Sequence, residues 1–236
     1  MKKELLAILF FLLYFSSLSQ QNFINVPSSE VTKKNKLFYQ QQINFNELIQ
    51  SNTTLDFGLG KGFEIGINVL GLNFSSKHKS FLQNDTEDKD PFNPLIMING
   101  LKQFELNENI SIAVGSQMGL NLTDIKETHR ALLSYGNLLI KNILIENSSL
   151  VLGSYYNSIH YGGFGNRVGA WIGSEIPIIN KLHFVAESVI GNNALSYTSI
   201  GAIYYPKKRM PLTLGIQIPN TKNNSYSIVF EITFVP

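Results

Sequence analysis

Between Ser225 and Phe234 the chain alternates. Tyr226, Ile228, Phe230, Ile232 and Phe234 fall on one side, and Ser225, Ser227, Val229, Glu231 and Thr233 on the other. Successive side chains of a strand project to opposite faces, so this run predicts a strand with apolar surroundings on one side and water on the other. The same period of two places Ile110, Ile112, Val114, Met118, Leu120 and Leu122 opposite Ser111, Ala113, Gly115, Gln117, Gly119 and Asn121. It also sets Leu212, Leu214, Ile216 and Ile218 against Thr213, Gly215 and Gln217. Segments around Met97-Ile98 and from Leu138 to Ile140 are apolar on both faces, and the pattern alone does not orient them.

Twelve such segments are predicted, at 36–46, 53–59, 62–74, 94–105, 109–122, 131–144, 149–157, 167–177, 181–190, 195–205, 211–219 and 225–234. Their connections alternate between compact ones, such as Gly60-Lys61 and Leu106 to Glu108, and longer polar ones, such as Ser75 to Asn93 and Ser158 to Asn166. Short turns at one end, long loops at the other and an even strand count are what an all-β, antiparallel, up-and-down transmembrane barrel requires. The strand from 225 to 234 is then expected to close the barrel against the segment at 36–46.

The first residues give this barrel an address. Lys2 and Lys3 precede an apolar run of 11 residues, Leu5 to Phe15, followed by the small residues of Ser16 to Gln20. This is the form of a cleaved secretory signal over residues 1–20, too short for a spanning helix. With no cysteine in the chain there is no site for a lipoprotein anchor. Residues 21–35 are expected as an N-terminal periplasmic segment and 36–236 as an outer-membrane barrel of a Gram-negative bacterium. No later stretch is apolar enough for a helix, and a closed barrel is the other way to satisfy every backbone group in lipid.

Charged residues make up only 15% of the chain, and removing Lys2, Lys3 and Glu4 with the signal takes the formal charge from +2 to +1. That leaves no basic footprint for nucleic acid. The expected partners are outer-membrane lipid, small solutes, and the barrel-assembly machinery during insertion.

Inside a barrel the scarce ionisable groups belong in the lumen, because a cation at mid-depth on the lipid face costs about 2–4 kcal/mol. Glu64, Glu175, His183, Glu187, Glu231, Lys141 and Asp56 are the lumen-lining candidates, with Glu175, His183 and Glu187 on neighbouring strands as a polar cluster. Such a cluster reads either as a charge-selective constriction or as a structural network filling a narrow lumen. Aromatic residues gather near strand ends, with Phe63, Phe104, Tyr204, Tyr205 and Phe234 near the short turns and Tyr155, Tyr197 and Tyr226 near the long loops. Two interfacial girdles would have this form.

No catalytic, metal or cofactor site is expected. Ser158 and His160 form a Ser-x-His pair in a loop, the remote basis for an outer-membrane hydrolase, but no third orienting residue accompanies them. The acidic stretch from Asp85 to Asp90 lacks the turn glycine and ordered spacing of a calcium loop.

The opening of the chain carries Val26-Pro27-Ser28-Ser29, Tyr39-Gln40-Gln41-Gln42, Thr53 to Gly60 and Phe63 to Val69. Its end carries Glu187 to Asn193, Tyr204-Tyr205-Pro206, Leu214 to Asn220 and Val229 to Phe234. These runs resemble the small porin-like outer-membrane barrels of Bacteroidota type and the related barrels named after the phenol meta-cleavage pathway. The resemblance implies an outer-membrane barrel with a loosely assigned transport role and no catalytic motif. Val235-Pro236 departs from it, since such barrels often end on an aromatic residue.

The expected function is porin-like passive passage of small solutes. The competing reading is a closed structural or interaction barrel with partner-binding external loops, its lumen blocked by inward side chains such as Trp171, Tyr135 and the glutamates.

Overall fold

A computed structural model of the chain describes residues 22–86, 91–122 and 129–235. The signal over 1–20, Glu87 to Asp90 of the acidic stretch, part of the loop after Leu122, and Pro236 lie outside the described residues.

The chain folds as a closed antiparallel barrel of twelve strands. These are β1 (Leu37–Phe45), β2 (Ile49–Gly60), β3 (Phe63–Ser75), β5 (Leu95–Glu105), β6 (Ile110–Asn121), β7 (Arg130–Lys141) and β8 (Ser149–Asn157). β9 (Val168–Ile179), β10 (Leu182–Ile190), β11 (Tyr197–Lys207), β12 (Met210–Pro219) and β13 (Ser227–Phe234) complete it. A three-residue strand β4 (Ser80–Leu82) adds to β3 beyond the barrel wall, and one helical turn, Ile159–Gly162, sits between β8 and β9.

Neighbours in sequence are neighbours in the sheet, and β1 closes the ring against β13, with Tyr39 opposite Phe234 and Phe45 opposite Ile228. The predicted segments coincide with the strands to within a few residues at their ends. Tight turns occupy one end, hereafter the turn end. Between β2 and β3 both Lys61 and Gly62 have positive φ, 53° and 73°, the backbone that lets a two-residue hairpin follow the twist of its strands. At the opposite, loop end, the connection 46–48 is also short and 191–196 is no longer than the turn-end connection 142–148, while 76–94, 122–129 and 158–167 are the long ones. Among the described residues no helix is long and apolar enough to cross a membrane.

Parity sorts the two faces. On β13, Ser227, Val229, Glu231 and Thr233 are buried in the interior, while Ile228, Phe230 and Phe234 are exposed outside. The strands whose sequence left them unoriented resolve in the same way. Met97 points inward and Ile98 outward, and Leu139 points inward between the outward Leu138 and Ile140. Their inner faces are apolar because chain segments inside the barrel cover them. Phe92, from the loop after β4, packs with Met97, and the N-terminal segment packs with Leu139.

Residues 22–35, within the stretch 21–35 expected as an N-terminal periplasmic segment, rise from the turn end into the lumen. Phe23, Ile24 and Val26 are at most 1% exposed and form one core with Val151, Val185, Ile203, Val229 and Trp171.

Candidate functional site

The lumen is the candidate site, and its two sides differ. On the side of β7 to β13 the N-terminal segment fills it. Residues 22–27 make a tight turn in which Phe23 N–H donates to the Val26 carbonyl at 3.0 Å. The N–H groups of Ile24, Asn25 and Val26 all donate to the carboxylate of Glu187, at 3.1, 2.9 and 2.9 Å. Converging backbone N–H groups make a pocket for an anion, and here a glutamate of the wall is that anion. Ser199 Oγ donates to the same carboxylate at 3.0 Å.

Further along, Asn137 Nδ2 donates to the Pro27 carbonyl at 2.9 Å, while its Oδ1 accepts from Trp171 Nε1 at 2.7 Å. Trp171 stacks on Tyr155 with ring centroids 5.0 Å apart. Nearer the turn end, Thr32 N–H donates to Glu64 at 2.6 Å, and Glu30 forms an ion pair with Lys141. Glycines on the inner wall make the room. A Cβ on Gly173 would lie 2.5 Å from the Phe23 ring, and one on Gly58 would lie 2.1 Å from the Lys33 carbonyl oxygen.

On the side of β1 to β6 the lumen holds a cavity of about 500 Å³. Its walls are carboxamides joined in two hydrogen-bonded ladders. In the first, Asn99 Nδ2 donates to Asp56 at 2.8 Å and to Asn68 Oδ1 at 3.0 Å. Asn68 Nδ2 then donates to Gln117 Oε1 at 2.6 Å, and Gln117 Nε2 to the Tyr161 hydroxyl at 2.9 Å. In the second, Gln42 Nε2 donates to Asn44 Oδ1 at 2.9 Å and to Asn25 Oδ1 of the N-terminal segment at 3.2 Å. Asn44 Nδ2 continues it to Gln50 at 3.2 Å. Lining residues run from Asn46 and Asn224 at the loop end to Glu64 and Leu101 towards the turn end.

Asp56, Glu64, Glu175, His183, Glu187 and Glu231 are all buried in the interior. They do not gather at one constriction. His183 Nδ1 lies 2.5 Å from Glu175, which also accepts from the Tyr205 hydroxyl at 2.9 Å, while Glu187 is engaged with the N-terminal turn. Thr233 Oγ1 donates to Glu231 at 3.2 Å. The expected trio of Glu175, His183 and Glu187 is therefore a Glu175–His183–Tyr205 trio.

Among the aromatic candidates, Phe63, Phe104, Tyr204, Tyr226 and Phe234 are exposed on the outside. Tyr155 and Tyr205 are not: both are buried in the lumen core, and Tyr197 lines the cavity. Adjacent residues such as Tyr204 and Tyr205 cannot share a strand face.

Ser158 Oγ accepts from Leu132 N–H at 2.9 Å, and His160 Nδ1 lies 3.2 Å from the Arg130 carbonyl. Each side chain thus anchors the loop to the start of β7. The carboxamide cavity and the buried N-terminal turn are the features that candidate-picking by charge missed. A signal for the turn was present, in valine and isoleucine at inward positions 151, 185, 203 and 229 that a wet lumen would not select.

No protein-family model and no curated protein matches the chain. Among solved structures it is similar to the KdgM porin, free and in complex with a disordered oligogalacturonate, at a TM-score of 0.61 and 7% identity. The match covers 84% of this chain and 99% of that one. It is also similar to outer membrane phospholipase A from Escherichia coli, at a TM-score of 0.49, 12% identity and coverage of 92% and 99%. An outer membrane channel from Pseudomonas putida F1 matches at 0.45, 11% identity and coverage of 85% and 93%. The fold is that of porin-type outer-membrane barrels.

Proposed function

We propose that the chain is exported by the signal over residues 1–20 and inserted by the barrel-assembly machinery into the outer membrane of a Gram-negative bacterium. There it acts as a porin-like barrel that passes small polar solutes, with residues 22–36 narrowing one side of the lumen. The observation that carries this reading is a closed barrel with an apolar outer face around a polar cavity. Ile98, Val114, Leu214 and Ile216, each more than half exposed, belong to an apolar belt far larger than a soluble monomer shows.

Lipid contact accounts for that belt, and the exposed Phe63, Phe104, Tyr204 and Phe234 would meet the headgroups at the turn end. The outward Lys102 suits the same boundary. Its ammonium lies 4.0 and 5.0 Å from the ring centroids of Phe63 and Phe104, and it donates to the Lys61 carbonyl in the turn.

Planar-bilayer recording of the refolded mature chain tests the proposal, with discrete conductance steps as the expected result. A heat-modifiable barrel that never conducts rejects it. That outcome would favour the second reading, a closed barrel with partner-binding loops, which the buried Phe23, Ile24 and Val26 support. An acidic oligosaccharide such as the one held by the KdgM porin does not suit this cavity, which has no cationic residue among its described lining.

A further inference from the structure

The cavity has a definite chemistry. Each carboxamide in the two ladders offers two N–H donors and an oxygen with two lone pairs, and the ladder bonds use only part of that capacity. Gln40, which also lines the cavity, accepts from Asn22 at 2.7 Å, while its Nε2 has no partner among the described residues. The same holds for Oδ1 of Asn73. Surfaces that both donate and accept match hydroxyl groups, which do the same.

Charge narrows the class further. No lysine, arginine or histidine is among the described lining residues, whereas Asp56 and Glu64 are. An anionic solute would thus meet like charge with nothing to offset it, a mismatch that disfavours binding strongly. Three of the four lining carboxylates are also poor lures for a cation, because they already serve the protein, and the fourth, Glu47, is exposed at the loop end. Asp56 accepts from Asn99, Glu64 from the Thr32 N–H, and Glu30 is paired with Lys141.

Tyr135, Tyr161 and Trp171 add flat apolar surfaces beside the amides. A volume of about 500 Å³ falls within the range of small-molecule sites.

We infer that this cavity binds an uncharged, polyhydroxylated solute of about disaccharide size, held by carboxamides at its hydroxyls and by aromatic faces at its ring C–H groups. The inference rests on the solute-pathway reading, for which it names the class of solute. Binding is measured without conduction, so the failure of either reading is told from the other.

Trp171 is the single tryptophan of the chain and lines the cavity, which makes its emission a reporter placed at the site. The full mature chain, refolded in detergent, is titrated with maltose, with digalacturonate and with the diamino disaccharide of deacetylated chitin. Emission and titration calorimetry are followed together, so that a silent fluorophore is not taken for absent binding. Saturable binding of maltose is expected, at least about tenfold tighter than either charged disaccharide, or ~1.4 kcal/mol. Asn99→Leu and Gln117→Leu, each confirmed as folded by its heat-shifted gel migration, should each weaken maltose binding about tenfold or more.

The inference is overturned if maltose shows no saturable heat or emission change up to its solubility. It is likewise overturned if a charged disaccharide binds more tightly, or if both folded variants bind maltose as the parent does.

Discussion

The two sides of the lumen dispose of inward-facing strand positions in opposite ways. Along β8, β10, β11 and β13, Val151, Val185, Ile203 and Val229 close on Phe23, Ile24 and Val26, and essentially no exposed surface remains. Along β1, β2, β3, β5 and β6 the equivalent positions carry amides that bond one another in ladders around open volume. One side is a protein core formed with a segment from outside the barrel wall, and the other is a polar surface around open volume. The difference teaches that inward does not mean wet. A position in the lumen is polar only where no other part of the chain arrives to cover it.

Buried polar groups follow the same division. On the filled side some hold the inserted segment in register, as Glu187 holds three N–H groups and Asn137 holds the Pro27 carbonyl, while others, such as Glu175 with His183 and Tyr205, tie neighbouring wall strands together. A group of this kind, once lost, strands partners that water does not reach, which costs about 1–3 kcal/mol for each neutral partner. On the cavity side a broken ladder bond is replaced by water at little cost.

The largest expected effect breaks the comparison outright. Joining the proposed export signal, residues 1–20, directly to residue 36, so that residues 21–35 are absent, is expected to leave both sides of the lumen open. Single-channel conductance should then rise several-fold over the parent. An unchanged conductance would mean that the segment does not limit the pathway.

Removing one anchor is a gentler form of the same experiment. Phe23→Ala should cost about 3–4 kcal/mol of docking energy for the segment. Since the chain has no cysteine, Ile24→Cys supplies a unique label for measuring this. Its modification rate by a water-soluble maleimide should rise by about two orders of magnitude when Phe23 is truncated.

A matched pair of amide substitutions sharpens the contrast between the sides. Asn137→Leu removes the partner of both Trp171 Nε1 and the Pro27 carbonyl, and should lower the stability of the filled side by about 2–4 kcal/mol in urea unfolding. Gln117→Leu removes two ladder bonds at the cavity, and should cost under about 1 kcal/mol in the same measurement. Equal costs for the two would mean that the cavity side is packed as tightly as the filled one.

The sequence by itself determined the barrel. Period-two alternation, the even number of segments and the asymmetry of the connections are local features, and each strand pairs with the next one along the chain, so strand limits and outward positions follow from short windows. The outer face was legible because its surroundings are uniform: apolar residue type alone identifies Ile228, Phe230 or Leu214 as outward. The inner face has no uniform surroundings. Glu187 meets the backbone of Ile24, 163 positions away, and whether Val151 or Asn68 faces protein or open volume depends on where residues 22–36 come to rest. Only the tertiary structure decided that, because a lumen position takes its meaning from the partner that reaches it. It therefore also decided that Glu187 is a clasp for the N-terminal turn, that Tyr155 and Tyr205 turn inward, and that the polar opening lies along β1 to β6.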